Sequence, residues 1–276
     1  MGKLLRADLF RARRFKVFYL LLAVNAMVGL FSVFNQLTWR SIEPSVSAYE
    51  VLLDGFGGGI AFLGILNAVL VSIFIGHEYA CGAMRNKVMT GGGRSKIYLS
   101  KLAVSSAMCA AVYLAFHAVN LILGSALLGW GGHAFSEIAL ALLAGLCMSL
   151  AYCAVFTGIA MLSKNTVISL LIGILGTLIV LFAVMYLMSA LEGTYIIADT
   201  AEEGADAGIW IPCPWPAWVQ SFVRGLLRLL PTGQSVLLTM GGISAAGMGG
   251  YIGLSCIWIV LSAVGGSLLY RKIDMK

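Results

Sequence analysis

Few side chains in this sequence are of a type that does chemistry, and their spacing limits what each can do. His77–Glu78 opens an approach to H-E-x-x-H, but the closing position is Cys81. That motif needs two imidazoles one turn apart on one helix face, with a third ligand elsewhere. The remaining histidines are His117, inside another apolar run, and His133, beyond its end, and neither converges on His77. No metal site is expected. Glu202–Glu203 is a paired carboxylate, but it sits in an acidic, Gly-containing stretch and reads as solvated. There is no G-x-S-x-G, and Cys81, Cys109, Cys147, Cys153, Cys213 and Cys256 form no C-x-x-C pair. Gly91–Gly93 leads into Arg94–Ser95–Lys96 without the Gly-Lys-Ser/Thr of a phosphate-binding loop. The chain therefore reads as a non-enzyme with no catalytic residue and no cofactor of its own. Work against a gradient would need energy from another chain.

The elements that hold these groups follow from composition. Of 276 residues, 60% are hydrophobic and 11% charged. A soluble domain carries about 45–50% apolar and about 25% charged residues, so a soluble enzyme and a disordered chain are both excluded. Six uncharged runs are long enough to cross a bilayer, at about 17–39, 55–77, 102–129, 138–162, 166–190 and 249–270. The first is too long for a cleavable leader and reads as a retained span. The fold class expected is an all-α polytopic membrane protein, one transmembrane domain over 1–276. No span carries a carboxylate, which argues against an ion-coupled carrier with ionisable groups at midplane. The spans do hold polar groups, among them Asn25, Asn35, Asn67, Asn120 and His117. Asn67 and Asn120 are the candidates to face a substrate pathway; hydrogen bonds between helices explain them equally well. Gly55–Gly59 and Gly249–Gly253 have the small-x-x-x-small spacing of close helix packing.

Charge sets the orientation. With the N-terminus in the cytoplasm, segments 1–16, 78–101, 163–165 and 271–276 carry fifteen of the 18 Lys and Arg, while nine of the 12 acids fall outside. That is the positive-inside bias. Trp39, Trp130, Trp210, Trp215 and Trp218 fall at or near outer span ends. Both termini are expected inside. Residues 1–16 read as an interfacial helix, with Leu5, Leu9 and Ala12 on one side and Lys3, Arg6, Arg13 and Arg14 on another. Residues 191–248 form an outer segment that opens acidic. A helix from Ala217 places Trp218, Phe222, Leu226 and Leu229 on one face and Arg224 and Arg228 on another, and Pro231 stops it. That helix is expected to lie along the interface. Thr232–Met248, too short to span, is expected as a re-entrant piece.

The second cytoplasmic loop, Glu78–Lys101, is the most informative stretch. Its first third, 78–88, reads as a short helix with Glu78 at the N-terminus, where the helix dipole favours an acid, and with Arg85 and Lys87 toward the C-terminal end. Gly91–Gly93 ends it. Arg94, Lys96 and Lys101 then lead back to the membrane. A short charged helix joining two spans is a lever that a soluble partner could move.

This loop resembles that of the permease subunits of ATP-binding-cassette type-2 exporters. Glu78, Tyr79, Gly82, Arg85, Asn86 and Lys87, followed by Ile97–Tyr98–Leu99–Ser100–Lys101, carry the likeness, with Ala83 where Thr is common. Pro231–Thr232–Gly233–Gln234 is also similar, and the six-span layout resembles small bacterial bacitracin- and lantibiotic-type self-protection permeases. The resemblance implies that 78–88 is a coupling helix docking on a separate soluble ATPase subunit. ATP and Mg would sit on that subunit, and a second permease chain, the same or different, would complete the assembly. It further implies a bacterial cytoplasmic (inner) membrane location, lipid bilayer as the surroundings, no nucleic-acid partner, and export of a hydrophobic or amphipathic molecule such as a peptide antibiotic, drug or lipid-like compound. The alternatives are an ATP-driven envelope-acting or signalling complex without net transport, and a membrane-embedded structural protein.

Overall fold

The computed structural model describes residues 2–42, 46–90, 92–197, 208–239 and 245–272. Its elements in chain order are α1 (Gly2–Arg13), α2 (Lys16–Trp39), α3 (Ala48–Ala80), α4 (Ala83–Met89), α5 (Arg94–Val119), a π-helical turn at Asn120–Gly124, α6 (Ser125–Leu127), α7 (Phe135–Ser163), α8 (Thr166–Glu192), β1 (Thr194–Ile197), β2 (Gly208–Ile211), α9 (Ala217–Leu229), α10 (Pro231–Thr239) and α11 (Ala245–Lys272). Among the described residues, six helical stretches are long and apolar enough to cross a membrane: α2, Leu63–Ala80, Arg94–Leu127, α7, α8 and Gly247–Lys272. The protein is an all-α polytopic membrane protein, as its composition predicts.

The helices overrun the apolar runs at several ends. Charge marks where hydrocarbon stops, not where helix hydrogen bonding stops, so α3 begins at Ala48 and takes in Glu50 and Asp54. Likewise α5 begins at Arg94 and takes Lys96 and Lys101 out of the expected loop. The outer segment also holds a short antiparallel ribbon, Thr194 opposite Ile211 and Ile197 opposite Gly208, which helical periodicity alone does not anticipate. Its Tyr-Ile-Ile and Gly-Ile-Trp-Ile runs are β-branched and aromatic, the composition that suits a strand. The acidic stretch between the strands, with Asp199, Glu202, Glu203 and Asp206, lies outside the described residues.

Helices α3, α5 and α7 make the centre. The core joins Met108, Cys109, Val112 and Tyr113 of α5 to Ala141, Ala144 and Met148 of α7. Buried polar side chains bridge helices: Asn25 Nδ2 donates to the Val112 carbonyl (2.6 Å) and Tyr113 Oη to that of Leu142 (2.9 Å). Close packing runs between α3 and α8, where a Cβ at Gly173 would come within 2.8 Å of that of Ala68 and one at Gly76 would overlap Thr166. Nothing among the described residues lies within 4 Å of a Cβ built at Gly249 or Gly253, so that expected pair packs against none of the described helices.

Both described ends of the chain meet at one end of the bundle. There α1 packs on the start of α5, and Arg94 Nη1 donates to the Arg271 carbonyl at the end of α11 (2.8 Å). We call this the basic end. From the other end, α9 and α10 enter as a helical hairpin. Trp258 Nε1, near the middle of α11, donates to the Leu229 carbonyl (2.8 Å). Thr232 at the apex pairs with Tyr152 of α7. Tyr152 lies eleven residues, or about 16 Å of helix rise, from the basic end of α7. On the return limb Thr239 Oγ1 donates to the Leu53 carbonyl (3.2 Å).

Among the described residues, the helix from Ala217 and the start of the expected re-entrant piece form one hairpin, α9 and α10, packed against α3, α7 and α8. The packing face of α9 is Val219, Val223 and Leu227, against Val184 and Met188 of α8; Trp218, Phe222 and Leu229 face outward. Pro231–Thr232–Gly233–Gln234 has a structural role here. Pro231 opens α10, where a missing N–H costs nothing. Gly233 sits so close to the Leu227 carbonyl that a Cβ would collide with it. Gln234 donates to the Arg228 carbonyl (2.8 Å) and accepts from Ser255 Oγ (3.0 Å).

Candidate functional site

The Glu78–Lys101 stretch holds the end of α3, all of α4 and the start of α5, not one helix and a loop. Helix α3 runs through Glu78 and Tyr79 to Ala80, and Gly82, at φ +67°, ends it. A left-handed residue just past a helix end is a natural glycine position. Cys81 and Gly82 then donate to the carbonyls of His77 and Tyr79 (3.0 and 3.1 Å). The separate helix α4 covers only Ala83–Met89. Glu78 therefore stands in the last turn of α3, the unfavourable end of the helix dipole, and not at a helix N-terminus as its position in the loop predicts. Cations offset that placement.

Those cations come from three other elements. Glu78 is fully buried, and Arg11 Nη1 (2.5 Å), Lys87 Nζ (3.0 Å) and Lys101 Nζ contact its carboxylate. A second buried carboxylate, Asp8 of α1, takes Lys87 Nζ at 2.6 Å, Lys101 Nζ at 2.7 Å and the Ser100 hydroxyl at 2.8 Å. Lys101 is buried too, and its Nζ lies 4.9 Å over the Phe74 ring. Desolvating an isolated charge costs several kcal/mol, so these groups persist only because each is paired. Burial pushes the Asp8 carboxyl up, but the Lys101 charge and the hydrogen bonds from Lys101 and Lys87 outweigh it and leave Asp8 below its ordinary value. Burial works against the Lys87 ammonium, yet its contacts with Asp8 and Glu78 leave its pKa raised.

Of this node's six residues, the sequence offered only Glu78 and Lys87 as site residues; Asp8, Arg11, Ser100 and Lys101 also belong to it. The expected apolar face of α1 was Leu5, Leu9 and Ala12; in the structure Leu5 and Leu9 are exposed, and the buried stripe is Asp8 and Ala12, one turn apart. The available signal was Asp8 itself, a lone acid in an otherwise basic helix.

The six expected coupling residues separate into two groups. Glu78, Tyr79, Gly82 and Lys87 build the support: Tyr79 Oη donates to the Met161 carbonyl (3.0 Å), tying α3 to α7. Arg85 and Asn86 are exposed, as are Met89 and Thr90, while Met84 is buried and anchors α4 from below. A force on the outer face of α4 would pass through Lys87 to Asp8 of α1 and Glu78 of α3, and through them to Lys101 of α5.

The pathway candidates are buried bridges in this chain. Asn67 Nδ2 donates to Ser149 Oγ (3.0 Å) and Asn120 Nδ2 to the Ala48 carbonyl (3.3 Å). An apolar cavity of about 240 Å³ lies elsewhere, under the hairpin apex. Tyr152, Phe156, Thr177, Val180, Thr232 and Trp258 are among its lining residues. Among the described residues no cluster of His, Cys, Asp and Glu is placed to hold a metal.

Residues 4–195 match the sequence model of a family described as ABC-2 family transporter protein. No curated protein matches the chain.

Proposed function

Since the chain belongs to the ABC-2 family of transporter proteins, we propose that it is the permease subunit of an ATP-driven exporter in the bacterial cytoplasmic membrane. It pairs with a second permease chain and carries hydrophobic or amphipathic molecules outward. ATP and Mg bind a separate soluble ATPase subunit, which docks on the exposed face of α4 at Arg85 and Asn86. The observation that carries this reading is the double engagement of Lys87 with Asp8 and Glu78. It makes α4 a rigid handle on α1, α3 and α5 rather than a loose loop. The apolar pocket under the hairpin apex supports a hydrophobic cargo, because its lining is predominantly aliphatic and aromatic, as in sites that take apolar molecules.

The test is purification of the tagged full chain in mild detergent from its native host. The expected result is co-purification of a soluble P-loop ATPase whose activity rises when the permease is present. A chain that purifies without an ATPase, with none encoded beside it, overturns the proposal.

A further inference from the structure

We propose that the wedge between α1 and the end of α3 binds the phosphate headgroup of an anionic phospholipid. A cavity of about 280 Å³ opens there, lined by Phe10, Arg11, Arg14, Phe15, Phe74 and His77. Its two halves differ in chemistry. Phe15 and Phe74 meet edge to face at 5.6 Å and, with Phe10, supply an apolar floor. Arg11, Arg14 and His77 supply the rim. Arg14 lies over the Phe10 ring at 4.4 Å, which places a guanidinium at the mouth. Arg11 reaches His77 Nδ1 at 3.5 Å and Glu78 at 2.5 Å. Glu78 is the carboxylate at this wall, and Lys87 and Lys101 already contact it. The lining therefore keeps a net positive charge toward an incoming anion.

The position selects a lipid over a dissolved anion. The cavity sits where α1 gives way to the apolar span that starts at Lys16, so the basic rim stands at the level of headgroups. Beside it, Leu9 and Phe10 of α1 and Tyr19 and Leu20 of α2 are exposed. An acyl chain can lie on that flank while its phosphate meets the guanidiniums. Basic pockets between membrane helices suit anionic headgroups for this reason. Arg11 lines the cavity and also contacts Glu78, so a bound headgroup would sit one residue from the ionic node.

The test uses the full chain in nanodiscs of phosphatidylcholine with a minority of phosphatidylglycerol, and counts retained lipids by native mass spectrometry. Phosphatidylglycerol is expected to be retained over phosphatidylcholine. Arg14→Gln is expected to lower that retention about fivefold, the equivalent of about 1 kcal/mol for one basic side chain at a membrane surface. Arg13→Gln removes the same charge from a residue that does not line the cavity and is expected to lower retention clearly less than Arg14→Gln does. Arg14→Lys is expected to restore most of it. Equal loss in Arg13→Gln and Arg14→Gln would mean a diffuse basic surface and overturn the site. Displacement of the lipid by excess inorganic phosphate would assign the cavity to a free anion and overturn the lipid reading. No preference for phosphatidylglycerol in the unaltered chain would also overturn it.

Discussion

Lys87 lies on a helix whose outer face is exposed, yet its ammonium sits 2.6 Å from the carboxylate of Asp8, seventy-nine residues earlier in the chain. The same nitrogen holds Glu78 at 3.0 Å. One flexible side chain thereby joins the first helix, the end of the second span and the short helix between spans.

Charge bookkeeping within the node sets an order of mutational cost. Three cations surround two carboxylates, and Arg11, being partly exposed, can turn to water. Glu78→Gln leaves Lys101 and Lys87 sharing Asp8, and is expected to destabilise by about 3–5 kcal/mol, as removing one partner of a buried pair does. Lys101→Met leaves Arg11 and Lys87 to match both acids, so a smaller loss is expected. Denaturation in mixed detergent micelles measures both; equal losses would contradict the count.

Arg85 and Lys87 are neighbours on α4 with different burdens. Arg85→Ala is expected to change stability by no more than about 0.5 kcal/mol, as at other exposed positions, while abolishing stimulation of the ATPase partner. Lys87→Met is expected to lose both stability and stimulation. ATPase activity of the reconstituted complex, set beside a melting curve, separates the two.

The hairpin apex depends on Gly233. Ala there would drive a Cβ into the Leu227 carbonyl, and a cost of about 1–3 kcal/mol is expected from such overpacking. Gly176→Leu is the contrast: nothing lies within 4 Å of its added Cβ, and it lines the apolar cavity. It should fold normally and reduce uptake of apolar probes by that cavity, read as quenching of Trp258 by brominated hydrocarbon in a variant whose other tryptophans are replaced.

The Asp8–Lys87 contact that docks α1 should be insensitive to pH over a wide range. Asp8 lies below its ordinary 3.8 in the fold, so its contribution is complete above that value and fades as pH falls through the lower folded one. Lys87 lies above its ordinary 10.5, so its contribution is complete below 10.5 and fades only at higher pH. Protease access to the α1–α2 junction is the measurement. Release of α1 between pH 5 and pH 8 would contradict the assignment.

Spans were legible because burying charge in hydrocarbon is costly, and that cost marks where each apolar run must end. Helix ends were less legible: Gly82 stops α3 through backbone conformation, which hydropathy does not register. The node was hardest to read. Glu78 and Lys87 stand close in sequence, but Asp8 and Lys101 meet only once three elements have packed. The packing face of α9 was hidden for a related reason. Trp218 and Phe222 are as apolar as Val223 and Leu227, and an apolar face can turn to lipid as readily as to protein.

The separation of Asp8 from Lys101 also has a meaning in time. They stand ninety-three positions apart, and synthesis at about 5–20 residues per second places their emergence about 5–20 s apart. For most of that interval Asp8 has neither Lys87 nor Lys101 to pair with, and α1 has no dry place to put it. The first helix must wait at the membrane surface until the third span has been threaded. Its docking then records that the first half of the permease has been inserted in the correct order.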